Sequence, residues 1–353
     1  MSSDSQQRKR KASRKLYRYI YGNWFTMITR TYAQLDIATL LSETALTSTE
    51  LADKTQTDHA ALKIFLRGAE DMGFHQIDPE TKKLVLTEIG TLLSRNSPNN
   101  LRAAALLNGA DYRYQPWGQL PEYLATGSGE GISPTWEDGS LPFLADKPEQ
   151  LAIFQQAMRD LSHSTVSGQN ENEAIAELID FSRFPSIIDI GGGTGALLSA
   201  IHHRHPNCDL SLYDLQESLV TDEKSTDCSP EIKRIAGNFF DEIPSGYSGY
   251  LIKNILHNHP EERLDPFLQN LSRALHQSPG SRAFLFELLR ADERPGRGRN
   301  SLIDLNLNLL VGGRVRSLPE YRQLLARYRL GIKSTQTLPH STRHAMEIEP
   351  ILH

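Results

Sequence analysis

The sequence predicts an α/β protein whose C-terminal half is a mostly parallel sheet with helices on both faces, preceded by a separate helical region. Three observations predict it. From residue 171 onward, short β-branched apolar runs alternate with amphipathic helical patterns, as in parallel strands joined by helical crossovers. At the head of that alternation, SIIDI at 186–190 runs into GGGTG at 191–195 and then an apolar helical pattern, which reads as buried strand, glycine turn and helix. Before residue 100, by contrast, the apolar residues keep a helical spacing almost throughout. At 353 residues the chain exceeds one typical domain. The expected division is a disordered basic tail over 1–16, a helical domain over 17–100, connecting helices and a pocket region over 101–170, and the sheet domain over 171–353.

Taken in order, residues 8–15 hold six lysines and arginines with almost nothing to bury, so the tail is read as a solvated charge run, with a nucleic-acid or nuclear-targeting arm as the sharper alternative. A long helix is expected around 24–41. Thr47 or Ser48 with Glu50 fits a capped helix start, and Asp58 caps the helix carrying Leu62, Phe65, Leu66 and Ala69. Residues 74–86, interrupted by Asp78 and Pro79, read as a two-stranded wing, which makes the region a winged-helix arrangement. Its second helix offers only Lys63 and Arg67 as cations beside Asp58, Glu70 and Asp71, too little to neutralise several phosphates, so dimerisation is favoured over DNA binding. The helical stripe Trp24, Phe25, Ile28, Tyr32 and Leu35 needs a partner surface, and a homodimer is expected. Further strands are expected at 209–213, 232–236, 249–256, 282–288, 331–337 and 344–351, with helices at 261–275 and 318–329. The link between the last two strands is too short for a crossover, so the final strand is expected to be antiparallel.

Composition excludes more than it suggests. A net charge of −5 with 39% hydrophobic residues describes a globular chain without a bulk bias toward nucleic acid or membrane. Cys208 and Cys228 have no metal-ligand spacing and form no disulfide framework. With no apolar signal core or membrane-spanning run, the expectation is a cytoplasmic protein with no metal, no membrane and no nucleic-acid partner.

The glycine turn points to a nucleoside. Glycines let the backbone adopt positive φ and carry its N–H groups close to a ligand ahead of a helix N-terminus. Asp214, ending the second strand, is placed to accept hydrogen bonds from ribose hydroxyls. Gly191, Gly193 and Ala196 also satisfy the dinucleotide pattern, so that pattern alone is weak. Asp189, two positions before the first glycine, puts negative charge where a pyrophosphate is unwelcome and a cationic amino-acid moiety is welcome. Ligands of open α/β sheets collect at the carboxyl ends of the strands, and those ends offer Asp189, Asp214, Asn238, Phe239, Lys253, His257 and Glu287. Phe239 is open to two readings, an adenine platform or a core ring.

The D-x-G-G-G-T-G of 189–195 resembles motif I of S-adenosylmethionine-dependent methyltransferases. From about residue 17 to the end, the chain resembles the small-molecule O-methyltransferases of the caffeate/hydroxyindole type, including bacterial polyketide and antibiotic methyltransferases. FQQAM at 154–158 matches their F-x-x-A-M helix, GNFF at 237–240 their G-D-F/M-F segment, and KNILHNH at 253–259 their K-x-x-x-H-D-W segment. The resemblance implies a Rossmann-like methyltransferase domain behind a winged-helix dimerisation domain. It also implies S-adenosyl-L-methionine as cofactor, a hydroxylated aromatic or polyketide-like acceptor, and a place in secondary metabolism. It carries cofactor contacts to Ser162, Asp189, Gly191, Gly193, Asp214, Asn238, Phe239 and Lys253, and acceptor contacts to Met158, Asn258 and Asn306. His257 becomes the general base and Glu287 the acid that orients it.

The departures are specific. Asn238 stands for the usual Asp of its segment, Asn258 and His259 replace an Asp-Trp pair, and Val315, in DLNLNLLVGGRVRS at 304–317, stands where a second acid usually flanks the base. That valine leaves a second reading, a relative that keeps the cofactor but catalyses hydroxylation, decarboxylation or pericyclic chemistry. A winged-helix regulator with a nucleoside-sensing domain is the third.

Overall fold

Thr47 and Asp58 start two helices of the N-terminal region as their short polar side chains suggest. Thr47 forms a reciprocal capping box with Glu50 ahead of Ser48–Thr55, and the Asp58 carboxylate accepts the Ala61 N–H, 2.8 Å, ahead of His59–Asp71. The computed structural model describes residues 3–98, 100–136, 140–163, 170–219, 229, 231–290, 300–339 and 341–351. It divides into two units, Met1–Tyr114 with Ala152–Leu161, and Gln115–Leu151 with Ser162–His353.

In the first unit, helices and an antiparallel hairpin, β1 (His75–Ile77) and β2 (Leu84–Leu86), close on a core of Tyr32, Ile37, Leu51, Leu62, Leu66 and Phe74, among others. Three expectations need correction. The long helix around 24–41 is two helices, Gly22–Gln34 and Ile37–Glu43, broken where Asp36 takes a left-handed φ of 56°. Its carboxylate is held there by Arg95, Arg102 and Thr39, contacts that offset the backbone strain. Of the proposed stripe, Tyr32 is fully buried in the unit's own core, while Trp24 and Phe25 are 59% and 42% exposed. The basic stretch expected as a tail is the helix Ser3–Ile20, with residues 6–20 all exposed; its lysines, arginines and glutamines are good helix formers.

The second unit holds a seven-stranded sheet among the described residues, in the order β5-β4-β3-β6-β7-β9-β8. The strands are β3 (Ser186–Ile190), β4 (Asp209–Asp214), β5 (Lys233–Ala236), β6 (Gly249–Lys253), β7 (Arg282–Leu288), β8 (Leu330–Thr337) and β9 (Arg343–Pro350). Strands β3 to β7 run parallel to their neighbours among themselves, whereas β9 is antiparallel to both β7 and β8, as its short connection requires. Apolar clusters fill both faces. One contains Ile188, Ile252, Phe267 and Leu271, the other Ile187, Leu198, Leu251 and Phe286. Strand order reverses at β3, which lies between β4 and β6, and the crevice beyond such a switch point is where open sheets bind ligands.

Strand β6 stops at Lys253, short of the expected 256. Asn254 takes φ 60° and Leu256–Asn258 forms a 3₁₀ turn, so the chain leaves the sheet and His257 sits on a turn. Cys208 is a half-buried free thiol, and Cys228 lies outside the described residues. No described helix is long and apolar enough to cross a membrane.

Candidate active site

The glycine turn follows β3 directly. Gly191, Gly193 and Gly195 have φ of 65°, 59° and 77°, values that carry a steric cost for other residues. At Gly191 a Cβ would also lie 2.7 Å from Ile255 Cδ1 and 3.3 Å from the Phe239 ring, so space as well as φ demands glycine. The Asp214 carboxylate accepts the Gly193 N–H, 2.8 Å, and the Leu215 N–H, 2.7 Å. It braces the turn, and the Ser218 hydroxyl donates to it as well, which still leaves acceptor capacity on the carboxylate for a ligand.

Asp189 is 2% exposed, and its Oδ1 has no hydrogen-bond partner. Burial, with Asp214 adding and Lys253 opposing, pushes its carboxyl up to about 7. Lys253 is itself held below the ordinary lysine value by burial and Arg343, against Glu171 and Asp189. Its ammonium donates to Asn172 Oδ1, while Arg343 donates to both oxygens of Glu171 and to Asn254 Oδ1, 2.8 Å. The N-terminal turn of Glu171–Leu178 thus anchors the two cations at this end of the sheet.

On the next strand end, His257 Nδ1 is hydrogen-bonded to Glu287 Oε2. The other Glu287 oxygen accepts the N–H groups of Ile255, 3.2 Å, and Leu256, 2.8 Å. Burial pushes Glu287 up, but His257, by charge and hydrogen bond, the Leu256 N–H and Arg343 outweigh it and hold the carboxyl below its ordinary value. An ionised Glu287 makes Nδ1 the protonated nitrogen and leaves Nε2 as the basic edge. His259 differs. Its ring lies edge-on to Phe239 and Phe240, and burial, with Arg263 and His257 adding, holds it down at about 4.

Residues 117–329 match the family described as the O-methyltransferase domain. The chain belongs to this family. It is 28% identical over 323 residues to the phenazine O-methyltransferase of Lysobacter antibioticus, covering 88% of this chain and 89% of the relative. Against the mitomycin biosynthesis 6-O-methyltransferase of Streptomyces lavendulae it is 27% identical, covering 91% and 89%. The solved structure of a mitomycin 7-O-methyltransferase superposes with a TM-score of 0.84 at 25% identity, over 98% of this chain and 99% of that one. The protein is an S-adenosylmethionine-dependent O-methyltransferase.

The cradle of this O-methyltransferase fits its cofactor, since a buried carboxylate oxygen without a partner stands beside a turn that only glycine can make. Phe239 flanks Gly191, and its ring packs on Phe267 with centroids 5.4 Å apart, the contact that the core reading expects. Asn238 Oδ1 accepts the Phe240 N–H, 3.0 Å, and Asn258 Nδ2 donates to Asn254 O, 2.7 Å. Asn306 is half-buried on Asn300–Val311. Met158 belongs to the first unit and is 38% exposed, and the side chain of Ser162 lies outside the described residues.

Other residues of the methyltransferase site went unnoticed in the sequence. A Cβ on Gly313 would come within 2.1 Å of His257 O, so only glycine lets the segment after Asn300–Val311 lie against the histidine turn. Arg316 Nη1 donates to Leu256 O, 3.0 Å, and Asn254 supplies the left-handed residue that starts the turn. The GG and the R of the 304–317 segment were the available signal. Val315 is fully buried, with its N–H donating to Asp304 Oδ1, 2.6 Å, so position 315 supplies no acid, and the carboxylate hydrogen-bonded to the His257 ring is that of Glu287.

Proposed function

We propose that this enzyme methylates a hydroxyl of an aromatic or polyketide-like small molecule in secondary metabolism, with His257 as the base. The observation that carries the reading is the His257–Glu287 pair at the end of the sheet that bears the glycine turn. The relatives named for phenazine and mitomycin methylation support the acceptor class. Ser162, Asp189, Gly191, Gly193, Asp214, Asn238, Phe239 and Lys253 would hold the cofactor, and Met158, Asn258 and Asn306 would contact the acceptor. Bound S-adenosylmethionine supplies a methyl group made electrophilic by its sulfonium.

The protein's own task is then alignment and proton removal. Ionising a phenol of pKa about 10 at pH 7 costs about 4 kcal/mol, at about 1.4 per decade. His257 Nε2 takes that proton as transfer proceeds, while Glu287 keeps the ring oriented through Nδ1–H and stabilises the imidazolium. Incubation with methyl-labelled S-adenosylmethionine and a panel of phenols, catechols, hydroxyquinones and indoles is expected to label an oxygen. Cofactor binding without label on any hydroxyl would end the reading.

The division of residues 17–353 into a helical domain, a connecting and pocket region and a sheet domain, and the winged-helix reading of residues 17–100, belong to the same proposal, with that region as the dimerisation module of a cytoplasmic enzyme that binds no nucleic acid. Leu16, Tyr17, Tyr19, Ile20, Trp24 and Phe25 are 42–67% exposed on consecutive helices, an apolar surface of the kind that interfaces cover. Light scattering at micromolar concentration is expected to report a dimer, and Trp24→Asp to shift it toward monomer. A monomeric wild type would overturn the assignment.

A further inference from the structure

Leu256, the residue before the histidine, is held at both of its backbone polar groups. Its N–H donates to Glu287, 2.8 Å, and its carbonyl accepts from Arg316 Nη1, 3.0 Å. The Tyr321 hydroxyl closes the circuit between those two side chains, being hydrogen-bonded to both Arg316 and Glu287. A guanidinium can only donate and an ionised carboxylate can only accept, which fixes the direction. Arg316 donates to the Tyr321 oxygen, and the Tyr321 O–H donates to Glu287. Burial, with the charge of Glu287 adding, pushes the phenol well above its ordinary value, so it keeps that proton at neutral pH. Tyr321, Arg316 and Glu287 are all buried, where a hydrogen bond to a charged group is strong and a missing one is costly.

The chain presents these two donors from a rigid segment. Ser317 and Glu320 form a reciprocal capping box at the start of the helix Leu318–Ala326, and Glu320 is also paired with Arg290 and Arg314. The Arg290 N–H donates to Arg316 O, 3.0 Å, just beyond the end of β7 that carries Glu287. Tyr321 stands on the first turn of the helix, its N–H on Ser317 O, 3.0 Å, within the apolar cluster that contains Phe267 and Leu271. With Tyr321 in place, Glu287 receives four donors, the N–H groups of Ile255 and Leu256, His257 Nδ1–H and the Tyr321 O–H, against about four acceptor sites on a carboxylate. It cannot turn away from the histidine without breaking one of them.

We propose that Tyr321 is a positioning residue for the His257–Glu287 pair, holding Glu287 directly and, through Arg316, the carbonyl of the residue that precedes the histidine. This inference rests on the base role proposed for His257. With no acid at position 315, the bracing of the pair passes to the segment just after it.

The test is Tyr321→Phe in the full-length protein, which removes the hydroxyl and keeps the ring in the core, alone and combined with Glu287→Gln. With labelled S-adenosylmethionine, kcat is expected to fall about tenfold, less than the full worth of a hydrogen bond to a charged group because three donors still hold Glu287. Acceptor KM and S-adenosylhomocysteine affinity should stay at the wild-type level. In the Glu287→Gln background the same substitution should change kcat little, because the hydroxyl acts through the carboxylate, whereas a loss of packing would lower both backgrounds by the same factor. The Nδ1–H proton resonance of His257 in ¹⁵N-histidine-labelled protein, assigned by its absence from His257→Gln, should move in Tyr321→Phe. If Tyr321→Phe does not fold, Arg316→Lys carries the same measurements with the same direction expected, since it keeps the charge but gives up the planar fork shared between Leu256 O and Tyr321. An unmoved resonance would overturn the proposal. So would wild-type kcat in Tyr321→Phe where His257→Gln is impaired, or an equal fall in the Glu287→Gln background. Undiminished transfer by His257→Gln removes the base reading by itself, and the resonance then still decides whether Tyr321 holds the pair.

Discussion

His257→Gln is expected to lower methyl transfer by about 10²- to 10⁴-fold, the usual worth of a positioned general base, while leaving cofactor affinity unchanged. Glutamine is close enough in size to keep the turn, and its amide can still donate toward Glu287, so the buried carboxylate is not left without a partner. The Ile255 and Leu256 N–H groups continue to satisfy its other oxygen. Glutamine cannot accept the acceptor's proton. The deficit should therefore narrow as pH rises toward the acceptor's own pKa, about 10 for a phenol, because the hydroxyl then ionises unaided. His259→Gln is the matched control. That ring packs on Phe239 and Phe240 and is held down at about 4, which makes it a poor base at neutral pH, and its loss should cost less than about tenfold. Steady-state rates of both variants from pH 6 to 10 decide the matter. Undiminished transfer by His257→Gln at pH 7 would remove the histidine from the chemistry.

What the sequence made legible was local. The β-branched run, the glycines and the two aspartates at the strand ends lie within 29 residues, and their residue types and spacing already imply a strand, a turn and a polar ligand. The histidine turn was only half legible. The resemblance singled out His257 rather than His259, two residues on, and the physical difference between the two comes from a strand 30 residues downstream, whose Glu287 hydrogen-bonds His257. Gly313 and Arg316 are further still, because the 304–317 segment touches the turn across about 60 residues of chain. The broken N-terminal helix has the same origin. Its sequence is helical on both sides of Asp36, and the break depends on Arg95 and Arg102, 59 and 66 residues away. Periodicity cannot register contacts of that range. The expected tail differed for another reason, since a run of lysines and arginines is as good a helix former as it is a poor core former.

Asp189→Asn is expected to stabilise the cofactor-free protein at pH 8 and to weaken cofactor binding about 10-fold or more. The carboxyl rises from 3.8 to about 7 in the folded chain, mainly through burial. A raised carboxyl binds its proton in the folded state over a window where the unfolded chain has released it. Stability from this group is therefore full below pH 3.8 and is lost progressively as pH rises to about 7, at about 1.4 kcal/mol per pH unit. The total, about 4 kcal/mol, is an upper figure for holding the ionised carboxylate in this crevice. Asparagine removes the ionisation, so the variant should gain little at pH 4.5 and most at pH 8, read as the shift in urea midpoint at each pH. In the proposed cofactor site the same charge would face the ammonium of the cofactor's amino-acid moiety, and an ammonium near Oδ1 favours the ionised form. Wild-type affinity should accordingly fall by up to tenfold per pH unit below about 7, because the proton must leave before the cation is matched, and the variant should show no such slope. Calorimetric titration of S-adenosylmethionine from pH 5.5 to 8.5 checks both arms. A pH-independent wild type, or an asparagine variant that binds as tightly as wild type at pH 8, would show that Asp189 faces no cation.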